Sequence, residues 1–133
     1  LRALGASKDV ALLQRTLDFG LSEEVRSQDL IYVYASVAAN LSGRAMAWKF
    51  LQDHWDDFTS KLDGTGFILA RIVGSLTSVF SSTARADEVE KFFAEHPAPM
   101  AERTIQQSLE SIRSKASWVA RDAKDVEEFL AAQ

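Results

Sequence analysis

Histidine is the commonest metal ligand and acid–base catalyst of proteins, and this chain has only two, His54 and His96. A zinc helix of the His-Glu-x-x-His type needs a second histidine four residues on, and a catalytic zinc normally has three protein ligands. Position 58 is Phe58, so His54 begins no such motif. His96 precedes Pro97 at a predicted helix end, where a cation complements the helix dipole. Both histidines are predicted to be structural or solvent-facing, and no metal site is predicted.

Motifs for covalent or phosphate chemistry are also missing from the sequence. Gly64-Thr65-Gly66 lacks the third glycine and the preceding strand of a dinucleotide-binding loop, and no serine sits in a nucleophile elbow. The pairs Asp56/Asp57 and Glu127/Glu128 are adjacent in sequence, so their side chains diverge by about 100° on a helix and are predicted to be solvated. We therefore predict that the chain carries no catalytic residue and no cofactor of its own.

Arg71 is the single candidate binding residue. It lies off the apolar stripe of a predicted helix, on a line of small polar side chains formed by Ser75, Ser78 and Ser82. Such a line could border a substrate groove in which the guanidinium of Arg71 meets a carboxylate. The commoner alternative is an ion pair with an acidic residue of a neighbouring helix. Both interpretations stay open at this point.

Apolar residues recur at helical spacing through the whole chain, and no stretch alternates as a strand would. The pattern predicts an all-α protein of about seven helices: 8–19, 28–40, a third from Ser42 to Leu62, a fourth after the turn at 63–66, 84–95, 100–118, and a short last helix behind Asp122. Trp48 and Trp55 lie on the stripe of the third helix, which favours a core position over an aromatic ligand cage. For Trp118 the sequence leaves both interpretations, a core position and a ligand contact, open.

Charge-rich and charge-poor helices alternate along the chain. The second predicted helix has no charge between Asp29 and Arg44, and Arg71 is the only charged residue between Asp63 and Arg85. Two layers explain this pattern, with the charge-poor helices covered over more of their circumference. Helix pairs at a period of about 38 residues predict a superhelical stack of antiparallel pairs, a HEAT/armadillo-like α-solenoid. An irregular helical bundle is the alternative.

Composition limits the possible partners and locations. The chain has 133 residues, of which 15 are Lys or Arg and 19 are Asp or Glu, and its net charge is -4. No basic cluster suits nucleic acid, and no apolar run approaches the roughly 20 residues of a membrane span. Cysteine is absent, which is compatible with a reducing compartment, and we predict a cytoplasmic protein.

The first residues predict that residues 1–133 are a single helical-repeat domain cut from a larger chain. The sequence starts at Leu1 rather than Met, and no signal or transit leader follows. Leu1 to Gly5 is interpreted as the end of a helix, with Gly5 as its left-handed stop. Ser7 is the predicted N-cap of the next helix.

Two long blocks, Arg44–Phe58 and Val89–Pro99 with the following Glu102–Gln107, resemble the C-terminal helical domain of zinc aminopeptidases of the puromycin-sensitive type. Shorter matches at Arg26–Asp29, at Gly66–Leu69 with Arg71, and at Trp118 with Arg121-Asp122 extend the resemblance over essentially the whole chain.

The resemblance implies a parent enzyme that removes N-terminal residues from peptides with a zinc site in a separate, more N-terminal catalytic domain. It implies that this segment encloses the active-site cavity and limits peptide access, with the catalytic domain and peptide substrate as its partners. No catalytic residue can be carried over. Arg71 lies in a matching block, whereas Ala38 and Ala39 stand where another groove cation could have been. A free-standing helical-repeat module that binds a peptide or partner helix is the alternative function.

Overall fold

The computed structural model describes residues 1–133, and every regular element in it is a helix. The seven α-helices are α1 (Val10–Leu21), α2 (Leu30–Ala39), α3 (Arg44–Asp53), α4 (Trp55–Lys61), α5 (Gly66–Thr77), α6 (Thr83–Glu95) and α7 (Glu102–Ala131). Short 3-10 helices cover Arg2–Ala6, Ser27–Asp29 and Pro99–Ala101. The predicted all-helical fold class is confirmed.

The helices form two layers of consecutive pairs. In the second layer, α2 packs against α5 and α5 against α7. The first layer contains α1, α3, α4 and α6. Helices α1 and α3 contact each other and α2, α4 follows directly on α3, and α6 packs on α7. Successive pairs are therefore α1/α2, α3–α4/α5 and α6/α7, as the alternating charge pattern predicted.

Aromatic side chains join the pairs within the first layer. Trp48 is fully buried, and its ring centroid lies 5.4 Å from that of Phe92 in an edge-on contact. Trp55 lies 5.6 Å from both Phe92 and Phe93. Edge-to-face contacts of this kind add to the hydrophobic gain of burial. The prediction that Trp48 and Trp55 belong to the core is confirmed.

Two predicted helix boundaries are wrong. The predicted third helix is broken at His54, whose backbone leaves the helical region at φ -115° and ψ 26°. Both the backbone N–H and the ring Nδ1 of His54 lie 3.0 Å from the carbonyl oxygen of Phe50, so the histidine closes α3 locally. Conversely, the two predicted last helices form one 30-residue helix, α7. No Gly or Pro interrupts it, and Asp122 pairs with Arg121 instead of capping a new helix.

The start of the chain also differs from the prediction. Gly64, with φ 75°, is the only residue with positive φ, so Gly5 is not a left-handed stop. Gly5 is instead buried against α2, where a Cβ atom would overlap the backbone and side chain of Ser36. The N-cap of α1 is Asp9, whose carboxylate accepts from the N–H groups of Ala11 and Leu12.

Candidate functional site

Arg71 lies on the exposed surface of the second layer, between two adjoining depressions. The first, of about 360 Å³, is bordered by α2, α5 and the first 3-10 helix; the second, of about 470 Å³, lies between α5 and the start of α7. Arg71 and Ser75 line both depressions. We call this surface the Arg71 face; its residues are Arg2, Tyr32, Ser36, Ala39, Phe67, Arg71, Gly74, Ser75, Ser78, Met100 and Thr104.

The guanidinium of Arg71 has no partner among the 133 residues. It is exposed, makes no hydrogen bond, and no carboxylate lies within 4.0 Å of it. Neither depression is lined by an acidic side chain. The ion pair with a neighbouring helix, which the sequence left open as the commoner alternative, is therefore not formed within this chain.

The helical period of α5 explains why Arg71 points away from the core. Leu69, Val73 and Leu76 recur at spacings of four and three and are buried against the neighbouring helices, which leaves position 71 on the opposite side. Ser75 and Ser78 lie on the Arg71 face as the line of small polar residues predicted. Ser82 does not, because its hydroxyl caps α6 by accepting from the N–H of Arg85.

A second cation, Arg2, was missed by sequence reasoning. Its guanidinium carbon lies 5.1 Å from the ring centroid of Tyr32, over the aromatic face. Two contacts hold the 3-10 helix of Arg2 on α2: the close approach of Gly5 to Ser36, and the side-chain amide of Asn40, which donates to the carbonyls of Gly5 and Ser7 at 2.8 and 2.6 Å. No local pattern signals this placement, since the partners are more than 30 residues apart.

Lys115 of α7 adds a third cation at the far end of α5, where its ammonium group donates to the carbonyl of Ser78. The Arg71 face and its border thus carry three cations in a chain whose net charge is -4. Among small polar side chains, a guanidinium group without an internal partner, such as that of Arg71, is suited to bind a carboxylate.

The two histidines end two helices in the same way. Each Nδ1 lies 3.0 Å from the carbonyl oxygen of a phenylalanine four residues earlier, Phe50 for His54 and Phe92 for His96. Each imidazole also stacks on that phenylalanine, with centroids 4.0 and 4.3 Å apart. No group of three or more His, Asp or Glu side chains is placed to hold a metal ion.

A further depression of about 460 Å³ lies beside His54 in the first layer, with Asp18, Asp57 and Lys61 on its walls. The ammonium group of Lys61 is engaged structurally, because it donates to the carbonyls of Leu21 and Ser22. These contacts tie α4 to the end of α1.

Trp118 lies on the part of α7 that extends past the other helices. It is 65% exposed, and large apolar neighbours on the same stretch are also at least half exposed: Val119, Val126, Phe129 and Leu130. Trp118, unlike Trp48 and Trp55, is therefore not part of the core.

Taken together, the layers and the Arg71 face define a helical-repeat scaffold with a cationic face. A family model described as the ERAP1-like C-terminal domain matches residues 1–114. The chain belongs to this family.

Relatives over nearly the whole chain are aminopeptidases. The chain is 38% identical to "Aminopeptidase M1" of Arabidopsis thaliana over 125 residues, 94% of this chain and 14% of the relative. It is 34% identical to "Aminopeptidase 2, mitochondrial" of Saccharomyces cerevisiae over 98% of this chain and 14% of that protein. It is 32% identical to "Aminopeptidase N" of Mus musculus over 92% of this chain and 13% of that protein. The chain thus spans about one seventh of the length of these relatives.

The resemblance inferred from the two long sequence blocks is therefore confirmed. None of the helices combines the length and the apolar character that crossing a bilayer requires.

Proposed function

We propose that residues 1–133 form a single helical-repeat domain of a zinc-dependent aminopeptidase that cleaves N-terminal residues from peptides. In this proposal the domain encloses the active-site cavity and controls which peptides enter it. The family match and the aminopeptidase relatives support the parent activity. The observation that carries the role of the domain is the Arg71 face, on which the guanidinium of Arg71 has no partner and neither depression is lined by an acidic side chain.

We assign the chemical step to a catalytic domain that precedes this one in the parent chain. The zinc ion belongs to that domain, where it would polarise the scissile carbonyl and activate water. The residues of this chain contribute enclosure and positioning. We place the parent enzyme in the cytoplasm.

Arg71 is proposed to hold the far end of long peptides. A peptide whose N-terminus is at the zinc extends away from it, and its C-terminal carboxylate is the one negative charge that every unmodified peptide carries. A planar guanidinium can bind this carboxylate through two parallel hydrogen bonds. Only substrates long enough to span the cavity would reach Arg71, so the contact would distinguish substrates by length.

The test is Arg71→Ala in the full-length parent enzyme, assayed with long peptides and with single-residue aminoacyl reporters. We expect KM for long peptides to rise about tenfold, which corresponds to ~1.4 kcal/mol of lost binding, while KM for the reporters is unchanged. The matched control is Arg103→Ala, which removes an exposed arginine of α7 that lines neither depression. Equal effects of Arg71→Ala on both substrate classes would assign the arginine a structural role.

The alternative of a free-standing interaction module is less well supported, because the relatives named above are aminopeptidases about seven times as long as this chain. The upstream coding sequence distinguishes the two hypotheses. A His-Glu-x-x-His helix several hundred residues earlier supports the aminopeptidase, and its absence supports the module.

A further inference from the structure

The two methionines of the chain differ in exposure. Met46 of α3 is partly buried and packs on the core, whereas Met100 is 72% exposed. Met100 belongs to the 3-10 helix Pro99–Ala101, which leads directly into α7. An oxidant must reach the sulfur atom of a methionine to convert the thioether to a sulfoxide. Met100 is therefore the methionine of this chain that an oxidant in solution reaches most readily.

The side chain of Met100 is folded over the first turn of α5. A Cβ atom at Gly66, where α5 begins, would lie 2.7 Å from both Cβ and Cγ of Met100 and 3.1 Å from its terminal methyl carbon Cε. Only glycine permits so close an approach at position 66. Because the sulfur atom is bonded to both Cγ and Cε, it lies over this turn as well.

The same turn borders the depression that contains Arg71. Met100 and Arg71 both line the depression of about 470 Å³ between α5 and the start of α7. Position 71 lies about 7.5 Å along the helix axis from position 66, and helical side chains lean toward the N-terminus of their helix. The long side chain of Arg71 therefore leans toward the turn over which Met100 lies. A thioether is only a weak hydrogen-bond acceptor, which is consistent with a guanidinium that has no partner.

We propose that Met100 is an oxidative modification site whose sulfoxide binds Arg71. The oxidant is hydrogen peroxide. A lone pair of the sulfur attacks one peroxide oxygen, the O–O bond breaks, and the departing hydroxide takes the proton of the transferred oxygen and leaves as water. The sulfur is oxidised by two electrons and the peroxide is reduced. The product is a polar side chain at the position of an apolar one.

The sulfoxide changes what the depression offers to Arg71. Its oxygen carries partial negative charge and accepts hydrogen bonds strongly, and Arg71 is the only charged side chain that lines the same depression. A hydrogen bond between them occupies the donors that the proposed function assigns to the peptide carboxylate, so oxidation weakens the binding of long peptides. This effect on peptides rests on the proposed function, whereas the oxidation of Met100 and its contact with Arg71 do not.

The first measurement uses the full-length parent and peptide-level mass spectrometry, without peptidase activity. With limiting hydrogen peroxide, we expect Met100 to be oxidised at least about fivefold faster than the partly buried Met46. After oxidation, Arg71 should react at least about threefold more slowly with the arginine reagent p-hydroxyphenylglyoxal, because its donors are engaged. In the control Met100→Leu, which conserves volume but has no sulfur, this rate should not change with peroxide. Equal oxidation of both methionines, or an unchanged rate at Arg71 in the oxidised wild type, would overturn the proposal.

The second measurement is the ratio of KM for a long peptide after peroxide to KM before it. We expect a ratio of about three to ten in the wild type, reversed by methionine sulfoxide reductase, and a ratio near one in Met100→Leu and in Arg71→Ala. An equal rise in Met100→Leu would assign the effect to other methionines and overturn the switch. If Arg71→Ala alone leaves KM for long peptides unchanged, the proposed function fails, and the labelling of Arg71 still decides whether the sulfoxide binds it.

Discussion

The two layers use their charged side chains differently. In the first layer, two cations pair with acids on the same helix, Lys49 with Asp53 at 2.8 Å and Arg85 with Glu88 at 2.9 Å. On the Arg71 face of the second layer, Arg71 has no partner and Arg2 lies over Tyr32. Exposed pairs such as those of the first layer contribute little to stability but leave no charge free for a ligand. The comparison indicates that the paired charges of α3 and α6 serve the helices themselves, whereas the charge of Arg71 is available for binding.

The largest expected effect on stability comes from disrupting the core on which both layers pack. Trp48→Ala removes a fully buried side chain that contacts Phe92 and donates from Nε1 to Glu88. We expect the free energy of unfolding to fall by about 3–5 kcal/mol, measured by chemical denaturation. Trp118→Ala, at a 65% exposed position, is the control and should change it by less than ~1 kcal/mol. Similar losses for both would mean that the stack does not have the described core.

A smaller loss of stability is expected from a substitution in the first 3-10 helix, which carries Arg2. In Gly5→Ala the new Cβ would lie 2.5 Å from the backbone carbonyl carbon of Ser36, so the 3-10 helix must move away from α2. We expect about 1–3 kcal/mol of destabilisation from this overlap. Ala6→Gly, at the exposed neighbouring position, is the control. If Gly5→Ala is as stable as the wild type, the close approach that places Arg2 beside Tyr32 is incorrect.

The buried phenol of Tyr34 predicts a pH dependence at alkaline pH. Its hydroxyl donates to the carbonyl of Leu17 at 2.9 Å, and burial, helped by the charge of Asp18, raises its pKa far above the ordinary value of 10.0. Above pH 10.0 the phenol ionises in the unfolded chain, whereas it stays protonated in the folded protein. The contribution of this phenol to the free energy of unfolding is therefore fully present below pH 10, and above pH 10 it should be lost at about 1.4 kcal/mol per pH unit.

Tyr34→Phe should remove this alkaline loss and cost about 1 kcal/mol at neutral pH through the missing hydrogen bond. Tyr32→Phe, whose hydroxyl is on the exposed face, should keep the wild-type pH dependence. Denaturation curves from pH 8 to 11 measure both. An unchanged alkaline slope in Tyr34→Phe would refute the assignment.

The smallest effects on stability are expected from substitutions of the exposed charged side chains. Lys49→Ala breaks an exposed pair within one helix and should cost about 0.3–0.5 kcal/mol. Arg71→Ala breaks no internal pair, so its free energy of unfolding should stay within ~0.5 kcal/mol of the wild type. A loss of several kcal/mol in Arg71→Ala would show that the arginine is structural and would remove the contrast between the layers.

The helices and layers could be predicted because apolar spacing and alternating charge are local properties of the sequence. The break at His54 could not, since the apolar stripe continues from Leu51 through Trp55 and the contact of the His54 ring with the Phe50 carbonyl has no signature in the apolar spacing. Arg71 could be selected because it is the lone charge on a line of small residues. Arg2 could not, because Gly5 and Asn40 place it through contacts across more than 30 residues.

The most direct test of the central claim compares a long peptide with its C-terminally amidated form, in the wild-type parent enzyme and in Arg71→Ala. Amidation removes the carboxylate that the guanidinium of Arg71 is proposed to bind. The account predicts that amidation raises KM in the wild type and leaves KM unchanged in Arg71→Ala. An equal rise in both enzymes would contradict it.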